Sequence, residues 1–164
     1  MILIVAVSSN WGIGYKNRLL FHIREDLQRF KQITTGKTVV MGYNTFLSLP
    51  DSKPLPNRKN IVLSRKKDLQ ITGATVCDSL DALQILLRDT PSADVFIIGG
   101  ENIYTQLLPH CTRAYITKVD AAPPADAFMP NLDELPNWKL TEEIQNHGEY
   151  SYSYVTYVNA DLGQ

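Results

Sequence analysis

Within LFHIREDLQRFKQI, residues 20–33, Ile23, Leu27, Phe30 and Ile33 recur at three- and four-residue steps, the spacing of one buried helical face. Asp26 lies four residues before Phe30 and seven before Ile33, so it shares that face. An acid in a helix's first turn is commonly solvated, because the positive end of the helix dipole favours it there. An unpaired carboxylate on an apolar face is costly, and a cationic or N–H-donating ligand would relieve that cost. The pattern admits both readings.

Three further stretches carry groups that suit anions. IIGGENIY (97–104) ends an apolar run in Gly99-Gly100 and passes straight into a helical pattern. Two glycines there let the backbone approach a ligand, although a plain tight turn needs glycine as well. MGYNTF (41–46) repeats this order with Asn44 and Thr45, and NIVLSRKK (60–67) puts Ser64, Arg65, Lys66 and Lys67 after another apolar run. Each alone reads as a solvated loop. Together they point to a long, multiply phosphorylated ligand such as a dinucleotide, since open α/β sheets bind ligands beyond the carboxyl ends of their strands. KPLPNRKN (53–60) holds Lys53, Arg58 and Lys59 between prolines, as an ordinary polar turn or as a carboxylate grip. TTGKT (34–38) lacks the leading glycine of a P-loop, having Lys31 in that place, and runs into an apolar strand pattern. It reads as a turn.

The elements that must position these residues follow from periodicity. Strand-like runs occur at 3–7, 38–42, 60–64, 75–77, 94–99 and 114–119, with helical patterns at 24–33, 43–49, 79–88 and 102–108. This alternation predicts an α/β domain with a mainly parallel sheet. Near the end, WKLTEEI (138–144) and YSYSYVTYV (150–158) alternate apolar and polar residues around NHGE (146–149), which predicts an antiparallel hairpin. Residues 8–19 and 120–128 read as loops, the first of them long for a strand-to-helix connection and so of functional interest.

With 164 residues, 44% of them apolar and 20% charged, the chain reads as one globular domain, 1–164. A net charge of −1 offers no bulk attraction to nucleic acid or anionic membrane. The opening MILIVAV is too short for a signal core or a membrane span and suits a buried strand. Cys77 and Cys111 read as reduced structural thiols of a cytoplasmic protein, and His22, His110 and His147 match no metal-ligand spacing. No metal site is expected.

The ensemble resembles the dihydrofolate reductase family in its bacterial, chromosomal form. The resemblance runs from Ile2 to about Val158 through IVAV…GIG…N (4–17), EDLQRFK (25–31), VVMGYNTF (39–46), KPLPNRKNIVLS (53–64), VFIIGGENIYTQLLP (95–109) and YITKVDAAPPADAFMP (115–130). It implies a central eight-stranded sheet flanked by about four helices. It also implies reduction of 7,8-dihydrofolate to 5,6,7,8-tetrahydrofolate by hydride from NADPH, serving one-carbon metabolism and thymidylate and purine synthesis. Antifolates would be inhibitors, and the usual form would be a monomer.

By the same resemblance Asp26 is the acidic active-site residue, hydrogen-bonded to the amidine-like edge of the pterin, with Thr117 supporting it and Phe21 beside it. Ile4, Val5, Leu27, Phe30, Leu49, Leu55 and Ile98 would line the substrate slot. Arg58 would grip the glutamate α-carboxylate, with Lys31 and Lys53 adding softer contacts. On the cofactor side, Ala6 and Ile13 match carboxamide positions, and Gly14, Tyr15, Lys16, Asn17, Arg18 and Leu19 form a mobile lid. Gly42, Tyr43, Asn44 and Thr45 belong to the pyrophosphate side, as do Gly99, Gly100, Glu101, Asn102, Ile103, Tyr104 and Gln106. Leu63, Ser64, Arg65 and Lys66 fall where the adenosine 2′-phosphate is recognised.

Three departures from the family pattern stand out. Phe21 replaces the usual tryptophan, with Leu20 before it in place of a frequent proline. Tyr43 stands where many relatives have arginine. Glu101-Asn102 replaces small or basic residues, and the Glu101 side chain is expected to point to solvent. A pyrimidinone-type reductase of related fold would not need Asp26 and Arg58 together, and a non-catalytic binding module would tolerate losses at Asp26 and the lid.

Overall fold

The structure, a computed structural model, describes residues 1–162. Strand β1 (Ile2–Val7) leads into a short hairpin, β2 (Gly12–Tyr15) and β3 (Arg18–Leu19). Helix α1 (Arg24–Thr34), strand β4 (Thr38–Gly42) and helix α2 (Tyr43–Ser48) follow. Next come β5 (Lys59–Leu63), β6 (Ala74–Cys77), α3 (Leu80–Leu86), β7 (Val95–Gly99) and α4 (Glu101–Leu107). The chain closes with β8 (Arg113–Val119), β9 (Ala127–Phe128), β10 (Trp138–His147) and β11 (Ser151–Asn159).

Eight of these strands form one sheet in the order β10-β11-β8-β1-β7-β4-β5-β6. From β8 to β6 every pairing is parallel, and only β11 runs against the rest, pairing antiparallel with β8 on one side and β10 on the other. Continuous apolar sequence in β1, β4, β5 and β7 follows from burial on both faces. Alternate residues serve opposite layers: Leu3, Val40 and Ile97 pack with Leu83 of α3 and Leu107 of α4. Ile2, Val39 and Phe96 face the other way, toward Phe30 and Ile33 of α1 and Phe46 of α2. The outermost strand β10 buries only Trp138, and its polar residues protect an edge that no further strand covers.

Local signals explain the element ends. The Ser79 hydroxyl accepts from Ala82 N at 3.0 Å, capping α3 as its sequence requires. Gly36 turns the chain between α1 and β4 at φ +79°, so TTGKT is a turn. Three expectations need correction. The 8–19 segment is not all loop: β2 and β3 pair through Tyr15↔Arg18, with Lys16 (φ 49°) and Asn17 (φ 60°) forming the two-residue turn that matches strand twist. Part of the 120–128 segment is also strand, because β9 adds to β2 through Gly12↔Phe128 and Gly14↔Ala127. The C-terminal turn is also tighter than NHGE, as Asn146 and His147 remain in β10.

Candidate active site

Parallel pairing brings the carboxyl ends of β1, β7, β4 and β5 side by side, so the loops that follow them gather along one edge of the sheet. The 8–19 hairpin, the start of α2, Ser64–Lys67 and the Gly99-Gly100 turn thereby become neighbours. The Gly99–Gly100 peptide is cis, and Gly99 has φ +129°. A Cβ on Gly100 would come within 3.2 Å of Thr45 Oγ1, and one on Gly99 within 3.4 Å of the same atom. That close approach sets exposed Asn44 and half-buried Thr45 directly against the glycine turn.

On the adjoining face, α1 covers the sheet incompletely. Of its residues only Thr34 is fully buried, while Phe30 and Ile33 are half-buried and Leu27 is 40% exposed. Leu49, Leu55 and Ile98 are likewise half-buried against Ile4 and Phe46. The apolar stripe read from sequence is therefore real, but it is left partly open as the wall of a cleft.

Asp26 stands in that opening. It is half-buried rather than sealed, and the Thr117 hydroxyl donates to its Oδ1 at 2.6 Å. Burial pushes its carboxyl above the usual range, while the Thr117 hydrogen bond and the nearby Arg29 guanidinium act in the opposite direction. Arg29 is itself fixed over the Tyr154 ring at 4.1 Å. Arg58, half-buried at the far end, donates from Nε to Pro56 O (2.9 Å) and from Nη1 to Thr34 Oγ1 (3.2 Å), which leaves Nη2 for a ligand. Lys31 and Lys53 are exposed on the same side.

Beyond the carboxyl end of β5, Ser64 Oγ accepts from Lys66 N at 3.2 Å, and Lys66 Nζ lies 5.6 Å over the Tyr43 ring. Tyr43 is stacked on Phe46, so an aromatic platform holds the ammonium where the family more often has arginine. A cavity of about 480 Å³ opens here, lined by Ser64, Lys66, Val76, Cys77 and Leu86. Arg65 is exposed beside it, while Leu63 is half-buried at the end of β5.

The β2–β3 hairpin, expected from the resemblance to be a lid, is held at three points. Lys16 N donates to Asp126 Oδ2 (3.0 Å), Asp126 N donates to Gly14 O (3.0 Å), and Asn17 Nδ2 donates to Asn44 O (3.1 Å). Asp126 is a residue the sequence reading missed, because its partner lies 110 positions away and an aspartate in a proline-rich loop carries no local mark. Glu101 is exposed, as expected, and its Oε1 also accepts from Phe128 N at 3.3 Å.

Some expected residues act from behind the site. Phe21 is buried with Val119 and Tyr152 and meets Tyr150 edge-on at 5.3 Å, so it ties the end of the lid to the C-terminal hairpin. The Tyr104 hydroxyl is committed to Ile4 O at 2.8 Å, and Ile103 is buried beneath Gly42. Asn102 and Gln106 are exposed on α4, and Val5 and Ala6 lie half-buried near the end of β1, with Ile13 buried in β2. Among the described residues, no group of three or more His, Cys, Asp or Glu side chains could hold a metal. No helix among them is long and apolar enough to cross a membrane.

A parallel sheet with glycine and basic loops at its strand ends, and a carboxylate in an adjoining apolar cleft, is the architecture of an open α/β domain with a ligand cleft along its strand ends. A family model described as dihydrofolate reductase matches residues 1–159. The dihydrofolate reductase of Bacillus subtilis (strain 168) is 39% identical over 159 residues, covering 94% of this chain and 91% of that protein. That of Neisseria meningitidis serogroup A is 41% identical, covering 95% and 96%. Among solved structures, dihydrofolate reductase from Enterococcus faecalis, complexed with NADP(H) and RAB-propyl, superposes with a TM-score of 0.84 at 29% identity, covering 96% of this chain and 94% of that one. The chain belongs to the dihydrofolate reductase family, as an enzyme that reduces dihydrofolate to tetrahydrofolate with NADPH.

Proposed function

We propose that Asp26 recognises the pterin and that the loops at the strand ends hold NADPH, within one reductase domain spanning 1–164. The observation that carries this reading is the Asp26–Thr117 pair at the mouth of a half-open apolar cleft. A carboxylate whose Oδ1 already accepts from Thr117 keeps lone pairs for the two N–H groups of an amidine-like edge. Desolvation by the arriving ring strengthens those bonds. Leu27, Phe30, Leu49 and Ile98 offer a flat apolar slot to the ring, and Arg58 Nη2 offers a donor to the substrate's glutamate carboxylate.

The cofactor fits the other half of the edge. Gly99 at φ +129° suits only glycine, and a Cβ on Gly100 would crowd Thr45 Oγ1 at 3.2 Å, so the bare turn lets backbone N–H groups meet a pyrophosphate directly, and Ser64, Arg65 and Lys66 supply donors for a 2′-phosphate. NADPH supplies the hydride. The chain orients the two rings, excludes water beneath the lid, and places at Asp26 a carboxylate whose negative charge favours protonation of the substrate electrostatically. The same reading makes the chain a cytoplasmic monomer and a target for antifolates that share the pterin's amidine edge.

A steady-state assay tests it. NADPH absorbance should fall only when dihydrofolate is added, faster than with folate and faster than with NADH. Turnover of neither pair would remove the assignment.

A further inference from the structure

Glu101 follows the Gly99-Gly100 turn directly and is an awkward neighbour for an anionic cofactor, since like charges in one site oppose each other. Its carboxylate is nevertheless engaged elsewhere, with Oε1 accepting from Phe128 N at 3.3 Å. Phe128 belongs to β9, the strand that backs the lid: it pairs with Gly12, and Ala127 pairs with Gly14. Asp126, one residue earlier, accepts from Lys16 N in the lid's turn, and Met129 N donates to Trp11 O at the lid's root. Strand β9 therefore touches the lid along its length and touches Glu101 at its end.

We infer that Glu101 is a positioning residue that couples the lid to the cofactor-binding turn through the Glu101–Phe128 hydrogen bond. While β9 is docked on β2, the Phe128 N–H holds the carboxylate off the turn. When β9 and β2 separate, the carboxylate loses its donor and is free to approach the turn, where its charge weakens the turn's hold on a phosphorylated ligand. By linkage the effect is reciprocal: an anion at the turn favours the docked lid by the same factor. The inference rests on the cofactor reading above.

The test is amide hydrogen exchange across Gly12–Leu19 in the whole protein, with and without NADP+, for Glu101→Ala and Glu101→Gln. Without ligand, Glu101→Ala should speed lid exchange about three- to tenfold, the worth of one exposed hydrogen bond, whereas Glu101→Gln keeps the acceptor and should stay near the parent. NADP+ should slow lid exchange in the parent, and by a smaller factor in Glu101→Ala. Equal lid rates and equal NADP+ effects in the parent and Glu101→Ala would overturn the inference. It would also fall if the α4 amides of Ile103–Leu107 accelerated as much as the lid, since Glu101 would then act only as a stabiliser of its own helix. If NADP+ failed to slow lid exchange in the parent, the cofactor reading would be at fault, and the ligand-free rates would still report on the tether.

Discussion

The Thr117 hydroxyl donates a 2.6 Å hydrogen bond to Asp26 Oδ1, joining β8 to α1 across 91 positions of chain. Thr117 lies in the interior of the sheet beside β1, where it pairs with Ala6, and is buried. Asp26 lies on a helix that covers the sheet only in part. The acid is thus held from a rigid strand while its second oxygen remains available to the cleft.

Replacing Asp26 by Asn keeps the shape and removes the charge. Turnover should fall about 10²- to 10⁴-fold at neutral pH, the range expected for loss of a positioned acid–base group. Single-turnover hydride transfer measures it, and a rate near that of the parent would move the role to another side chain.

The same variant makes a stability prediction with a definite sign. The folded carboxyl has a raised proton affinity, chiefly through burial, so the native state binds more protons than the unfolded chain in the window above the ordinary carboxylate range. Stability from this group is therefore present in acid and lost as pH rises through that window. Asp26→Asn should be more stable than the parent at neutral pH, with the gap closing in acid. Urea midpoints at the two pH values decide it, and a gap that widens in acid would contradict the shift.

Arg58 is oriented by Pro56 O and Thr34 Oγ1, and burial lowers the proton affinity of its guanidinium below the usual value. Arg58→Ala should weaken dihydrofolate binding by about 2–4 kcal/mol if the group pairs with a desolvated carboxylate. Calorimetric titration reads the change, and an unchanged affinity would leave Arg58 as an anchor for α1 alone.

The platform of Tyr43 beneath Lys66 links aromatic stacking to cofactor choice. Arg65→Ala and Lys66→Gln should each narrow the NADPH-over-NADH ratio of kcat/KM by about tenfold, as expected for losing one charged hydrogen bond. Ratios equal to that of the parent in both variants would place 2′-phosphate recognition elsewhere.

The two thiols should be inert in the folded protein. Cys111 is fully buried, which pushes its thiol up to about 12, and burial raises Cys77 as well. A thiol reagent at mildly alkaline pH should label neither cysteine in the native state and both in denaturant. Fast native labelling at Cys77 would mean that the cavity beside Ser64 opens far enough to admit the reagent.

Local chemistry made much of this molecule legible before its fold was known. Strands buried on both faces carry continuous apolar centres, so β1, β4, β5 and β7 announce themselves, and the Ser79 cap and the periodicity of α1 do the same for helices. Family motifs then named the residues at the strand ends. What composition and period could not express were pairings between distant short segments. Strands β2, β3 and β9 have four, two and two residues, too few for any alternation to show, and they exist because each completes the others. Asp126 gains its place from Lys16, and Glu101 from Phe128, only after the chain has crossed the sheet. The exposure of Leu27 was hidden as well, since a helical stripe reports which face is apolar but not how much of it another element covers. Sequence determined the elements and the chemical groups by local propensity; tertiary packing decided which groups meet and which apolar surface stays open, because those are properties of contacts between segments rather than of any segment alone.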